Sequence, residues 1–367
     1  MKSRFVLPLQ NHTFAKMACT RVIQCGKDAR EIAVSPDGKL LAVSQWKFGI
    51  HLLDARTGEK RTTTLGGDGT WPNGVAFSPT SPLLLAASFN NCVRVWDCGS
   101  SACVAELHGN FDVVRRVAFS PDGRLLASAC TDKHIRLWRT DDWYAPPFTL
   151  WDHRRYVESV AFSCDGRLLA SCDGDNMAIL WHVCDKSFPI AGTKWKCGFD
   201  VECVVFSPVD NRLQAFGGYG GILVFSVVST GAIAVECKWQ NRMGCSWGLA
   251  FSPCGQTLAS SSWDYTVRLW SVASGACLRV LKGHIEGVHA IAFFPNGKQL
   301  VTTTEGGTIR IWTLCAWSDR THYMFGTHLK HKVFKLMCVR ARLELEQSAQ
   351  LPMELWLIVF EQLALLL

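Results

Sequence analysis

His153, Ser171 and Asp175 are the three residues of this chain whose types could together do covalent chemistry. A serine hydroxyl becomes a nucleophile when an imidazole takes its proton and a carboxylate orients the imidazole. Little else in the sequence supports a reaction. There is no Gly-rich loop leading into a helix, no H-E-x-x-H, no G-x-S-x-G and no EF-hand loop. Gly217-Gly218-Tyr219-Gly220-Gly221 precedes a strand-like run, so it reads as a turn between strands. A phosphate cradle needs a helix N-terminus behind it. The 17 cysteines include no C-x-x-C pair and no grouping at metal-ligand spacing, so no metal and no cofactor are expected. Cys92, Cys130, Cys203 and Cys277 fall in apolar runs, where a thiol packs as a small hydrophobe. So many free thiols suit a reducing compartment. An enzyme is not expected.

Composition points the same way. Of 367 residues, 48% are apolar and only 19% charged, which is the balance of a chain that buries a large core. The net charge of +7 comes from Lys/Arg and Asp/Glu that interleave along most of the chain, so no nucleic acid is expected as a partner. No uninterrupted apolar stretch is long enough for a membrane span. Met1–Gln10 lacks the apolar core of a secretion signal. The expected location is the cytoplasm, or the nucleus.

The elements that position these residues come from a repeat. Ala33-Val34-Ser35-Pro36-Asp37-Gly38 recurs as Ala118-Phe119-Ser120-Pro121-Asp122-Gly123, as Ala161-Phe162-Ser163-Cys164-Asp165-Gly166, and in four looser copies ending at Ala292–Gly297. Measured at the Ser position, the steps are 43, 42, 43, 44, 45 and 42 residues. A second phrase, an alternating run such as Ile135-Arg136-Leu137-Trp138, keeps the same phase. Each unit holds three or four short strands with Ser-Pro-Asp-Gly and polar turns between them. A period of 40–45 residues marks a propeller blade, because one such sheet buries neither face alone and must stack on its neighbours. The expected fold is all-β: a seven-bladed β-propeller of four-stranded blades over 18–317. A lead precedes it (1–17), and a short α-helical C-terminal tail follows (318–367). The last unit lacks a local fourth strand. Ala18–Ile23 is similar to Ala276–Leu281, so the N-terminal strand is expected to close the ring.

The two phrases resemble the WD-repeat family over roughly 18–313. Trp96-Asp97 keeps its naming dipeptide, and Trp138, Trp181, Trp270 and Trp312 keep the Trp. Gly283-His284 keeps the family's Gly-His phrase, and His153 takes the same slot in the fourth blade. The resemblance implies that His153, Ser171, Asp175 and Trp181 form a buried hydrogen-bonded set that holds blade four together rather than a catalytic triad. Broken sets imply that blades one, two and five are softer.

The resemblance also implies a binding face with two positions per blade. One follows the start of each opening strand: Arg30, Asn73, Arg115, Glu158, Glu202, Trp247 and His289. The other precedes a turn and includes Trp46, Phe89 and Trp263. Trp46, Phe89, Trp247 and Trp263 are placed on one arc and Glu158 and Glu202 opposite. That anatomy suits a peptide with an apolar anchor and a Lys or Arg. The expected function is a protein-interaction scaffold whose partners are other proteins or peptides.

Beyond Trp312 the strand phrases stop. Phe334, Met337, Cys338, Ala341 and Leu345 recur at helical steps, with Lys and Arg on the other side. Leu351-Pro352-Met353-Glu354-Leu355 resembles the opening L-P-x-E-L of an F-box. The spacing from Phe334 and Cys338 to Leu351-Pro352 is also similar to a SOCS box. Both imply ubiquitin-ligase adaptors as partners. The alternative function is therefore a ligase substrate receptor that recruits the ligase through Phe334, Cys338, Leu351, Pro352 and Leu355.

Overall fold

Four-stranded antiparallel sheets, seven of them, make up the described structure, a computed structural model covering residues 16–315 except 68, 70, 185–186, 230–232 and 242–244. The compact unit Cys19–Trp312 contains the ring. The opening strands of the blades are Ala29–Val34, Pro72–Phe77, Val114–Phe119, Val157–Phe162, Val201–Phe206, Ser246–Phe251 and Val288–Phe293. Each touches the opening strand of the next blade, and the seventh touches the first. In the seventh sheet the order is Val288–Phe293, Gln299–Thr304, Thr308–Cys315 and then Lys16–Gln24. The N-terminal strand therefore closes the ring, as the sequence similarity predicts. Cys25 donates its amide to Gly307 at 2.9 Å, and Thr20 Oγ1 donates to the Ile311 carbonyl at 3.2 Å. This pairing covers an edge that an open array would expose. The segments 1–15 and 316–367, with the expected tail helices, lie outside the described residues.

The turn phrase explains the sharp returns. In blade one Ser35 Oγ donates to Asp37 Oδ1 at 2.6 Å and accepts the Leu40 amide at 2.9 Å. Gly38 sits at φ 71°, a conformation that a side chain would strain. The apolar residues that follow do not gather in one centre. They form slabs between neighbouring blades: Leu52 and Leu85 between blades one and two, Ile179 and Leu137 between three and four, Leu180 and Phe216 between four and five. A blade is thus stable only when its neighbours are present.

One irregularity recurs in every blade. The register of each opening strand against its neighbour slips just after the strand begins: between Val114 and Arg116, Val157 and Ser159, Val201 and Cys203, and at the same place in the other four. These are β-bulges. The residue inside the slip is unpaired, and its side chain is re-aimed. Buried serines tie the bulges across blades. Ser44 Oγ donates to the Asn73 carbonyl at 2.7 Å, and Ser261 Oγ to the His289 carbonyl at 3.2 Å.

Candidate functional site

His153, Ser171 and Trp181 do meet, but the acid that joins them is Asp173, not Asp175. His153 Nδ1 lies 2.7 Å from Asp173 Oδ2 and Nε2 lies 2.6 Å from Ser171 Oγ. Trp181 Nε1 donates to the same hydroxyl at 2.8 Å. An ionised carboxylate only accepts, so Nδ1 carries a proton and donates it to Asp173. Burial alone would push the Asp173 carboxyl up. The hydrogen bond and charge of His153, with the Asp175 and Met177 amides, outweigh burial and hold it below the usual range. Asp175 falls past the strand end, in the turn, where it faces Arg155 at 3.6 Å and is more than half exposed. The Asp173–His153–Ser171 order is that of a nucleophilic relay, yet Ser171 has 0% exposure and its oxygen is occupied by the indole. No substrate atom can reach it. The set holds Leu168–Asp173 to the strand carrying Trp181.

The bulges build the second site. All seven bulge residues line a single cavity of ≈ 170 Å³. Arg30, Asn73 and Arg115 come from blades one to three, Glu158 and Glu202 from four and five, and Trp247 and His289 from six and seven. The cavity is too small for a drug-sized ligand. Glu31 and Arg116, each one residue past a bulge position, add an ion pair at 3.2 Å. Burial raises the Glu31 carboxyl, with Arg116 opposing. Arg115 Nε lies 3.5 Å from Glu158 Oε2. Burial first, then Arg30, pushes His289 down to about 4, so its ring is neutral.

Beside the mouth stands an aromatic group. Trp247 stacks on Trp263 at 5.6 Å and 26°, with His289 at 5.1 Å and Tyr219 at 5.9 Å from Trp247. Trp263 is 49% exposed. In blade one Trp46 lies 5.2 Å from Trp71, donates to Asn73 Oδ1 at 2.9 Å, and carries the Arg30 guanidinium 3.5 Å above its ring. Trp46, Trp71, Asn90 and Thr131 line a second, wider cavity of ≈ 520 Å³ that shares Asn73 and Arg115 with the first.

The expected aromatic arc needs one correction. Phe89 is 1% exposed and packs in the slab between blades one and two. It is the last residue of its strand, pairs with Cys92 across a tight turn, and turns inward, so it offers no surface. Cys277 needs another: it is exposed on an outer strand, while Cys92, Cys130 and Cys203 are buried. Trp71, Tyr219, Glu31 and Arg116 were missed. The first two sit in connections rather than strands, and the last two follow the bulge, which no residue type announces. Phe334, Cys338, Leu351, Pro352 and Leu355 lie outside the described residues.

A closed ring of seven four-stranded blades, with a His–Ser–Asp–Trp set inside one of them, is a WD-repeat β-propeller. The chain belongs to the family described as the IFT122 first beta-propeller, which it matches over residues 71–322. It is also similar to the WD repeat-containing protein pop1 of Schizosaccharomyces pombe, at 37% identity over 29% of this chain and 12% of that protein. WD repeat-containing protein 1 of Gallus gallus is 29% identical over 30% of this chain and 16% of its own length. WD repeat-containing protein 86 of Homo sapiens is 44% identical over 15% of this chain and 14% of its own. Each alignment thus spans less than a fifth of the relative. Among the described residues no helix is long and apolar enough to cross a membrane, and no group of His, Cys, Asp and Glu could hold a metal ion.

Proposed function

We propose that this propeller is a protein-interaction scaffold, acting in the cytoplasm or nucleus, that binds peptide segments of partner proteins across the face where the bulges open. One observation carries the reading: all seven bulge side chains converge on one cavity, with the half-exposed Trp263 stacked on Trp247 beside it. Bulges are retained where a strand must re-aim a side chain, and exposed aromatics with partly buried charges are the usual anchors of an interface. Affinity purification with the full chain and with its Trp247→Ala/Trp263→Ala variant, read by mass spectrometry, tests it. The variant is expected to lose partners that the full chain retains. An unchanged partner set with a folded variant overturns the face assignment.

A second reading is favoured by the Leu351-Pro352-Met353-Glu354-Leu355 phrase: a ubiquitin-ligase substrate receptor. It requires that ligase adaptors copurify with the full chain and disappear on Leu351→Ala/Pro352→Ala substitution. Their absence from the full chain leaves the scaffold alone.

A further inference from the structure

The wider cavity of ≈ 520 Å³ draws its lining from blades one to three and their connections, so it stands to one side of the axis. Trp46 and Trp71 touch there, with ring centroids 5.2 Å apart and planes tilted by 45°. They present one continuous aromatic wall, not a slot between two rings. The rest of the lining is polar except for Val113. Backbone and side-chain bonds hold it in place. Thr131 donates to the Val113 carbonyl through its amide at 2.9 Å and its hydroxyl at 3.1 Å, and the Asn90 carbonyl accepts the Val114 amide at 2.5 Å. The Asn73 carboxamide is used at both ends, by Trp46 Nε1 and by the Val114 carbonyl. That of Asn90 is exposed and has no partner among the described residues.

Charge narrows what this wall can accept. The attraction of the rings for a cation is already taken: Arg30 lies 3.5 Å from the Trp46 centroid and the Lys47 ammonium 5.8 Å from that of Trp71. The surrounding charges also balance. Arg30 faces Glu305 at 3.9 Å, Arg115 faces Glu158 at 3.5 Å, and Lys47 is offset by Asp112. A basic anchor is therefore opposed, and an acidic one gains nothing. A long aliphatic side chain would find one apolar wall and polar groups elsewhere. A proline ring is uncharged and lies flat on an indole, and a polyproline II segment leaves its carbonyls free for a donor.

We propose that this off-axis cavity docks a proline-rich segment of a partner in the polyproline II conformation, with a proline ring on the Trp46–Trp71 wall and a carbonyl accepting from the Asn90 carboxamide. The proposal rests on the reading of this face as a peptide site and adds the class of residue that anchors at blades one to three. Wall and ligand are both stiff before they meet, so little freedom is lost on binding. No ion pair forms, so the affinity does not depend on salt.

The test is a titration of the 15N-labelled full chain with blocked decaproline, with blocked peptides of equal length made of alternating glycine and serine, or of glycine and arginine, as controls. Decaproline is expected to shift the indole resonances of Trp46 and Trp71 and the carboxamide resonance of Asn90, equally at low and high salt. Trp71→Ala should weaken binding about tenfold, as loss of an aromatic anchor does. Asn90→Gly keeps the turn, since glycine accepts its φ of 43°, and should weaken binding less. Unchanged far-UV dichroism reports the fold of both variants. Absence of the shifts, or decaproline affinity unmoved by both substitutions, overturns the site. Equal or tighter binding of the glycine-serine or glycine-arginine peptide at the same indoles overturns the proline anchor. The Trp247→Ala/Trp263→Ala purification still decides the face assignment on its own.

Discussion

Blades four and five are neighbours built on the same strand order, and they are held together by different physics. Blade four has the hydrogen-bonded chain Asp173–His153–Ser171–Trp181, entirely buried. Blade five has Phe216 where Ser171 stands and Phe225 where Trp181 stands. Its substitute is a cluster of rings shared with its neighbour: Phe216 and Phe225 meet each other and Trp195, on the outer strand of blade four, edge-on at 5.5 to 5.8 Å. Edge-to-face rings contribute about 0.5–1.5 kcal/mol per pair beyond their burial. The exchange is incomplete. Gln214 of blade five is 0% exposed, and neither its amide nitrogen nor its oxygen has a partner. The other six blades place leucine there: Leu41, Leu85, Leu126, Leu169, Leu258 and Leu300. A polar network is strong only when every member is satisfied. Apolar packing tolerates omissions but not stray polar atoms.

Breaking the network should give the largest effect. Asp173→Ala leaves His153 Nδ1 buried without an acceptor, and we expect a loss of about 3 kcal/mol in urea unfolding. The same carboxyl sets an acid limit. Its pKa is depressed on folding, so its stabilisation is present above the unfolded carboxylate value and is lost as pH falls through the lower folded one. Acid titration of stability should therefore flatten in the variant. Equal slopes for both proteins would sink the linkage.

Blade five offers the opposite experiment. Gln214→Leu restores the residue its six counterparts use and removes two buried unpartnered atoms. A gain of about 1–2 kcal/mol is expected. A loss would mean that an unseen partner, such as a buried water, satisfies the amide. Blade two carries a milder version of the same fault. Trp96 Nε1 has no acceptor because Ala87 stands where Ser171 stands in blade four. Ala87→Ser should supply it and add about 1 kcal/mol, the net value of one buried hydrogen bond. Serine fills this place in blades three, four and six, each bonding its Trp, so room for the hydroxyl exists. If thermal melting falls instead, the slab between blades one and two is too tight at that point.

Blade number and ring closure were legible in the sequence, because they depend only on period and phase; the seven cavity positions came from the family resemblance, and the phase carried them from blade to blade. A step of 42–45 residues places Arg30, Asn73, Arg115 and their counterparts at one height, whatever their chemistry. What that phase does not carry is side-chain direction. The bulges that turn Arg30 and Arg115 toward the axis have no residue signature, so Glu31 and Arg116 behind them stayed hidden. Phe89 and Trp263 share a repeat position, yet one is buried and the other half-exposed, since what decides is the neighbouring blade.

The smallest expected effect is the sharpest test of that lesson. Asp173 and Asp175 are the same residue type two positions apart, and the family pattern favours the second. Strand geometry favours the first: Asp173 is the last paired residue of its strand, opposite Val157, and points at the imidazole, while the chain has already turned at Asp175. An exposed pair such as Asp175 with Arg155 at 3.6 Å contributes little. Asp175→Ala should therefore change unfolding stability by no more than about 0.5 kcal/mol, against the several-fold larger loss for Asp173→Ala. A reversal of that order would return the acid of the set to the turn and require His153 to point outward.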